Sequence, residues 1–262
     1  MSDIVAGVQG RTGVGRVALV TGGARGIGRG ISEALVADGI GVAVTYIRNR
    51  ELADEFVAQT ESAGGSAVAI HADVADPDDC SSAVREAVEA FGRLDILVSN
   101  AGIASRGNQI AETNPAELER VLKVHALGPH NLCQAALPHL RKRPGSSIVF
   151  ISSVATDLYS AGGAPYAMGK AAVEALAHTL AKEERSYGTR VNIVAPGLVR
   201  TEMGRRLARA TRGVDDIDEL NERSPFGHVC TPEEIGSVVR FLVSTDAAYV
   251  NDQRIVVDGG TF

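Results

Sequence analysis

Tryptophan is absent from the 262 residues, aromatic side chains make up only 4%, and cysteine occurs three times, as Cys80, Cys133 and Cys230. Three scattered cysteines build neither a disulfide framework nor a zinc ribbon, so a reducing compartment is expected. Positive charge is in deficit as well. The 26 basic and 32 acidic residues leave a net charge of −6, which argues against nucleic acid and anionic lipid as partners, because both are held by clustered cations. No run approaches the roughly 18 uncharged apolar residues of a membrane span, and residues 1–15 lack the basic-then-apolar order of a secretory leader. A cytoplasmic protein is expected. His71, His130, His139, His178 and His228 show no H-E-x-x-H or comparable ligand spacing, so no metal is expected, and the missing G-x-S-x-G elbow argues against an α/β-hydrolase.

What is present is the composition of a globular chain, 45% apolar and 22% charged. Residues 1–15 carry four glycines and little periodicity and read as a flexible N-terminal extension. From Arg16 onward short β-rich runs alternate with longer helical patterns: strand 17–21 then helix 27–38, strand 42–46 then helix 51–63, strand 67–71 then helix 77–91. Further strands are expected at 94–99, 147–152 and 190–195. Such alternation predicts an α/β fold, one doubly wound Rossmann-like domain over 16–262, with a parallel sheet of about seven strands and helices on both faces. Continuous apolar runs such as Ile148-Val149-Phe150-Ile151 fit strands buried on both sides.

The first strand runs directly into Thr21-Gly22-Gly23-Ala24-Arg25-Gly26-Ile27-Gly28 and then into a helical pattern. Glycines at such a junction permit a tight turn and let a pyrophosphate approach the backbone, while the helix N-terminus supplies amide donors. A dinucleotide is the expected ligand. The spacing Gly22-x-x-x-Gly26-x-Gly28 differs from the common G-x-G-x-x-G. Further along, Tyr166 and Lys170 stand four apart in a helical segment and project from one side, and Ser153 follows the strand 13 residues before Tyr166. An ammonium beside a phenol stabilises phenolate, which would lower the tyrosine pKa from about 10 and make it a usable acid or base.

Together these motifs resemble the short-chain dehydrogenase/reductases with T-G-x-x-x-G-x-G and Y-x-x-x-K signatures, among them 3-oxoacyl-carrier-protein reductases and related ketoreductases. Supporting matches are Asp73-Val74, Ser99-Asn100-Ala101-Gly102, Ile151-Ser152-Ser153, Ala195-Pro196-Gly197 and Val257-Asp258-Gly259-Gly260, in the family's order along almost the whole chain. The resemblance implies Tyr166 as proton donor in carbonyl reduction, Lys170 as its partner and ligand of the nicotinamide ribose, and Ser153 as the residue orienting the carbonyl. It also implies cofactor contacts from Gly22, Arg25, Gly26, Ile27, Gly28, Asp73, Val74, Asn100, Ala101, Gly102, Tyr166, Lys170, Pro196, Gly197, Val199 and Thr201.

Two positions depart from the family pattern. Ser99 replaces the first asparagine of N-N-A-G, and His125 aligns with the asparagine whose backbone helps hold a water of the proton relay. Either the backbone role survives and the histidine merely fills the asparagine volume, or the imidazole, titrating near pH 6.5, joins the relay.

After the second strand, where NAD-preferring relatives carry aspartate, the chain has Tyr46, followed by Ile47 and Arg48. With no carboxylate there, and with Arg48 and Arg25 within reach of a 2′-phosphate, NADP is expected over NAD. Residues 198–228 are polar and charged, consistent with a substrate lid; Arg205, Arg209 and Arg212 recur at helical spacing beside Arg206, and the acidic stretch 215–219 offers them partners. The segments 131–140 and 171–184 carry apolar residues beyond one core face, notably Ala172, Leu176 and Leu180, and in the resembled family these helices build the contacts of a homotetramer.

The expected activity is NADPH-dependent reduction of a ketone or 3-oxoacyl group, on a small-molecule carbonyl substrate that is free or carrier-bound. An NAD-dependent alcohol dehydrogenase working oxidatively, and a nucleotide-binding regulator with reduced turnover, are the alternatives.

Overall fold

The computed structural model describes residues 15–261, so the expected N-terminal extension lies outside the described residues apart from Gly15. Seven strands form one parallel sheet: β1 (Val17–Val20), β2 (Gly41–Tyr46), β3 (Ala67–His71), β4 (Ile96–Ser99), β5 (Ser147–Ile151), β6 (Arg190–Pro196) and β7 (Arg254–Val257). Their spatial order is β3-β2-β1-β4-β5-β6-β7. The direction of winding reverses between β1 and β4, and in open α/β sheets the crevice above that reversal is where ligands bind.

Alternate side chains of each strand serve opposite faces, so the sheet divides the core in two. On one face Leu19, Leu97, Ile148, Phe150 and Ile193 pack against α3 (Pro77–Phe91), α5 (Gly128–Leu140) and α7 (Ala164–Glu184). On the other, Val20, Val44, Val98, Val149 and Val194 meet α1 (Gly26–Ala37), α2 (Arg50–Ser62) and α9 (Pro232–Val243). The expected third strand and third helix coincide with β3 and α3. The latter begins where the Asp76 carboxylate accepts the amides of Asp78 and Asp79, at 2.8 and 3.3 Å, with Pro77 in its first turn.

Between β4 and α5 lie α4 (Pro115–Leu122) and a π-helical turn, Lys123–Leu127, whose wider winding displaces His125 from the register of a straight helix. Such turns occur often at functional sites. After β5 comes the single turn α6 (Ala155–Leu158). After β6 the expected lid segment is more regular than its polarity suggests: α8 (Glu202–Arg212) is followed by a 3-10 stretch, and Ala208, Ile217, Leu220 and Val229 bury a small apolar cluster of their own.

Candidate active site

The glycine turn leads from β1 into α1 with Gly22 and Gly26 at φ of 63° and 52°, conformations that cost an L side chain strain. At Gly28 the limit is space. A Cβ there would stand 2.1 Å from the Gly22 carbonyl oxygen and 2.6 Å from Asn100 Nδ2. No side chain caps the N-terminus of α1, since its N-cap residue is Arg25, so the first-turn amides are left to an external acceptor. Across the reversal, Thr21 Oγ1 accepts the amides of Asn100 and Ala101 at 2.9 and 3.0 Å, while Asn100 Nδ2 donates to the Thr21 carbonyl at 2.8 Å. Residues 79 apart in sequence thus fix the two walls of the crevice to each other.

Ser153, just past β5, and Tyr166, in the first turn of α7, are joined by a side-chain hydrogen bond. One helical turn on, Lys170 is 5% exposed, and its Nζ donates to the Ile151 carbonyl at 2.8 Å. An ammonium carries three donors, and Ile151 is the one acceptor found for it among the described residues; the remaining two fit the hydroxyls of a ribose. Burial lowers the Lys170 pKa to about 8, against the opposing pull of the Glu174 carboxylate.

The expectation that Lys170 lowers the Tyr166 pKa is corrected here. The ammonium lies 5.7 Å from the ring centroid, engaged by the end of β5, and burial pushes the phenol above its ordinary value while the Ser153 hydrogen bond acts against that rise. The Tyr166 phenol is therefore held neutral.

His125 faces the same residues. Its ring stands edge-on to Tyr166 with centroids 5.3 Å apart, and its Nε2 lies 2.8 Å from the Ile103 carbonyl oxygen and 3.1 Å from the Ile103 amide. Donation from Nε2 to the carbonyl matches the shorter distance, and this assigns the tautomer. Two glycines make room for the imidazole: a Cβ at Gly102 would meet His125 Cε1 at 2.7 Å, and one at Gly169 would meet His125 Cβ at 2.8 Å. The expected titration near pH 6.5 is overturned. Burial first, then the nearby Lys170 charge, push the imidazole down to about 3, with the Ile103 hydrogen bond opposing, so the ring is neutral at physiological pH.

At the far end of the crevice Tyr46 meets His71 edge to face, centroids 5.6 Å apart, and His71 Nε2 lies 3.1 Å from the Ile47 carbonyl. Of the two candidate phosphate ligands, Arg25 is paired with Glu202 of α8 at 3.3 Å, whereas Arg48 has no carboxylate partner among the described residues. Asp73 is committed locally: its Oδ1 accepts the Ala75 amide and its own amide donates to Asp79, while Val74 is buried beside it.

Pro196 ends β6, and the Gly197 amide donates to the Val257 carbonyl at 2.9 Å. Beyond it Val199 is buried, and Thr201 caps α8 by accepting the Gly204 amide at 3.0 Å. Thr201 also stands opposite Gly26, 3.4 Å from where a Cβ would be. Ile27 follows Gly26 in the first turn of α1. The expected residues thus gather along the carboxyl edge of the sheet, from the ends of β1 to β6.

Sequence reasoning missed Glu174 and Arg254. Glu174 Oε1 accepts from Ser152 Oγ at 2.5 Å, Thr156 Oγ1 at 3.0 Å and Arg254 Nε at 2.9 Å. Arg254 comes from β7, 80 positions away, and no local pattern announces the pair. Among the described residues no group of three or more His, Cys, Asp or Glu side chains could hold a metal ion.

A family model described as enoyl-(acyl carrier protein) reductase matches residues 22–261. The chain is 38% identical over 259 residues to a versicolorin reductase of Emericella nidulans, covering 95% of this chain and 96% of that one. It is 36% identical over 249 residues to a 3-oxoacyl-(acyl-carrier-protein) reductase of Staphylococcus aureus, covering 94% and 97%. A short-chain dehydrogenase of Burkholderia cenocepacia, solved with NADP, superposes with a TM-score of 0.85 at 36% identity, over 94% of this chain and 97% of the other. The chain belongs to the short-chain dehydrogenase/reductase family and is an NAD(P)-dependent oxidoreductase.

Proposed function

We propose that the protein reduces a ketone or 3-oxoacyl group to a secondary alcohol with NADPH, and that Tyr166 delivers the proton. The observation that carries this reading is the neutral phenol of Tyr166, hydrogen-bonded to Ser153 and one helical turn from the buried ammonium of Lys170. A buried phenol that keeps its proton is suited to give it to an oxygen becoming an alkoxide. Ser153 donates to the same oxygen and fixes its place. Lys170 holds the ribose hydroxyls with its two uncommitted donors. His125, neutral, anchors the Ile103 main chain beside the ring of Tyr166 rather than carrying charge.

Bound in the crevice, NADPH would supply the hydride. Its pyrophosphate would lie on the first turn of α1 against Gly22, Gly26 and Gly28, and Arg48 would take the 2′-phosphate as a charge-assisted partner. The complex of a relative with NADP supports the same preference. Residues 198–228 act as the lid, and the domain spans 16–262.

We further propose a homotetramer, although one part of its expected basis changes. Leu180 is 5% exposed and belongs to the chain's own core, so partner contacts on α7 fall to residues such as Met168, 49% exposed. No helix of the described residues is long and apolar enough to cross a membrane, in keeping with a proposed cytoplasmic site of action. A panel of ketones and alcohols offered with NADPH, NADH and their oxidised forms, followed by the absorbance of the reduced nicotinamide, tests the activity. Turnover only of alcohols with NAD would overturn it.

A further inference from the structure

Beside Ser153 and Lys170, residues of β7, α6 and the end of β5 converge on one carboxylate of α7. Glu174 lies on α7 one turn beyond Lys170, on the same face, and is only 16% exposed. Its Oε1 accepts three donors: the Ser152 hydroxyl at the end of β5, the Thr156 hydroxyl of α6 and Arg254 Nε of β7. Arg254 extends the clamp, with Nη2 reaching the Ser153 carbonyl at 3.4 Å, Thr156 Oγ1 at 2.9 Å and Asp157 at 2.6 Å. A partly buried carboxylate so heavily bonded is costly unless matched, and here Arg254 matches it directly, while the Lys170 ammonium feels its charge through space.

We propose that Glu174, which the reductase reading does not use, is a positioning residue for that site: its carboxylate clamps the Ser152–Ser153 end of β5 to α6 and β7 and supplies the negative charge against which the buried Lys170 ammonium is held. The inference rests on the assignment of Ser153, Tyr166 and Lys170 under the proposed function. Two effects follow. The clamp sets the direction of the Ser153 main chain and so of its hydroxyl. The charge keeps Lys170 protonated in a place where burial drives the proton off. The titratable and charged groups around Lys170 are Tyr166 and Glu174 from its own helix and His125 from the π-helical turn, with Arg254 and Asp157 behind Glu174. Removing the carboxylate charge leaves Arg254 paired with Asp157 alone and takes away the anion that favours the Lys170 ammonium, so the change acts against the charged lysine.

The chain has only four lysines, Lys123, Lys142, Lys170 and Lys182, so a spectrum of protein labelled at lysine 13Cε resolves them without crowding. In the cofactor-free protein Glu174→Gln, which keeps the shape, should move the Lys170 titration midpoint down by about half a pH unit or more, while Glu174→Asp restores part of it. With a ketone from the panel, Glu174→Gln should lower kcat by about tenfold with KM changed less than about threefold, and the loss of reductive rate at alkaline pH should begin at lower pH. An unchanged Lys170 midpoint overturns the proposal, even if Glu174→Gln melts earlier or turns over more slowly, because packing alone would produce those losses. Tyr166→Phe separates the two readings: if it retains turnover, the assignment of the proton donor fails, while the Lys170 titration still reports whether Glu174 governs the ammonium.

Discussion

Tyr166 and His125 sit 5.3 Å apart between ring centroids, yet the same burial has opposite consequences for their protons. A neutral acid is kept protonated and a neutral base is kept unprotonated, because desolvation penalises whichever form is charged. Tyr166→Phe should therefore nearly abolish reduction while leaving cofactor affinity within about threefold, as measured by nicotinamide fluorescence titration, because the proton donor is lost and the shape is kept. His125→Asn should leave the pH profile between pH 5 and pH 9 unaltered, about the range over which an unperturbed histidine would titrate, since the imidazole already stays neutral down to about pH 3. An inflection in wild type that this substitution removes would contradict the assignment. Lys170, at about 8, is the group expected to limit the alkaline side: the reductive rate falls as pH rises through that value and the ammonium is lost. At the other end of the crevice, Arg48→Ala should weaken NADPH more than NADH by about 1.5–3 kcal/mol, the cost of one charge-assisted bond to phosphate, read from paired titrations. The residues that the sequence exposes are those whose chemistry depends on local spacing, such as the glycines of the turn and the Tyr166–Lys170 pair. Glu174 was hidden because its partners lie 22, 18 and 80 positions away.

Among the elements, those bounded by strong local signals were legible and those shaped by tertiary packing were not. The helix 77–91 carries its own cap and proline at one end and Gly92, at φ of 75°, at the other. β7 has four residues and no alternation to mark it, with backbone pairing to β6 defining it instead, which is why only six strands were placed from sequence. The π-helical turn at His125 has no compositional mark either. Segment 198–228 read as polar and poorly periodic, although the spacing of Arg205, Arg209 and Arg212 was the trace of α8; of the arginines expected to meet the acidic stretch 215–219, Arg209 pairs with Asp215 at 3.0 Å, whereas Arg206 pairs with Glu202 of its own helix and Asp218 is taken by Arg200. One partly buried ion pair ties the end of α5 to α7. Glu184 is fully buried and takes a two-pronged bond from Arg141, at 2.9 and 2.6 Å, while the guanidinium stacks 4.2 Å over Tyr187. Arg141→Met should cost about 3 kcal/mol in urea unfolding, because it strands a carboxylate in the core, whereas exposed pairs such as Arg50–Asp54 should cost little.

For the whole molecule, the doubly wound fold was readable because three strand–helix alternations followed by further buried strands admit few right-handed parallel arrangements. The state of assembly was not, since apolar residues such as Leu180 serve the interior of a single chain as readily as a neighbour. Sedimentation velocity should give a species of about four chains if the proposed tetramer forms. The join between Thr21 and Asn100 bears on how the molecule comes into being. It closes a loop of 79 residues, and everything that stands on the crevice waits for that closure. Parallel strands brought together over such distances pair slowly, since chain entropy must be given up before contacts repay it. In refolding from denaturant the helical circular dichroism should therefore return early and the capacity to bind nicotinamide cofactor late, so cofactor capture would serve as a clock for the last step of folding.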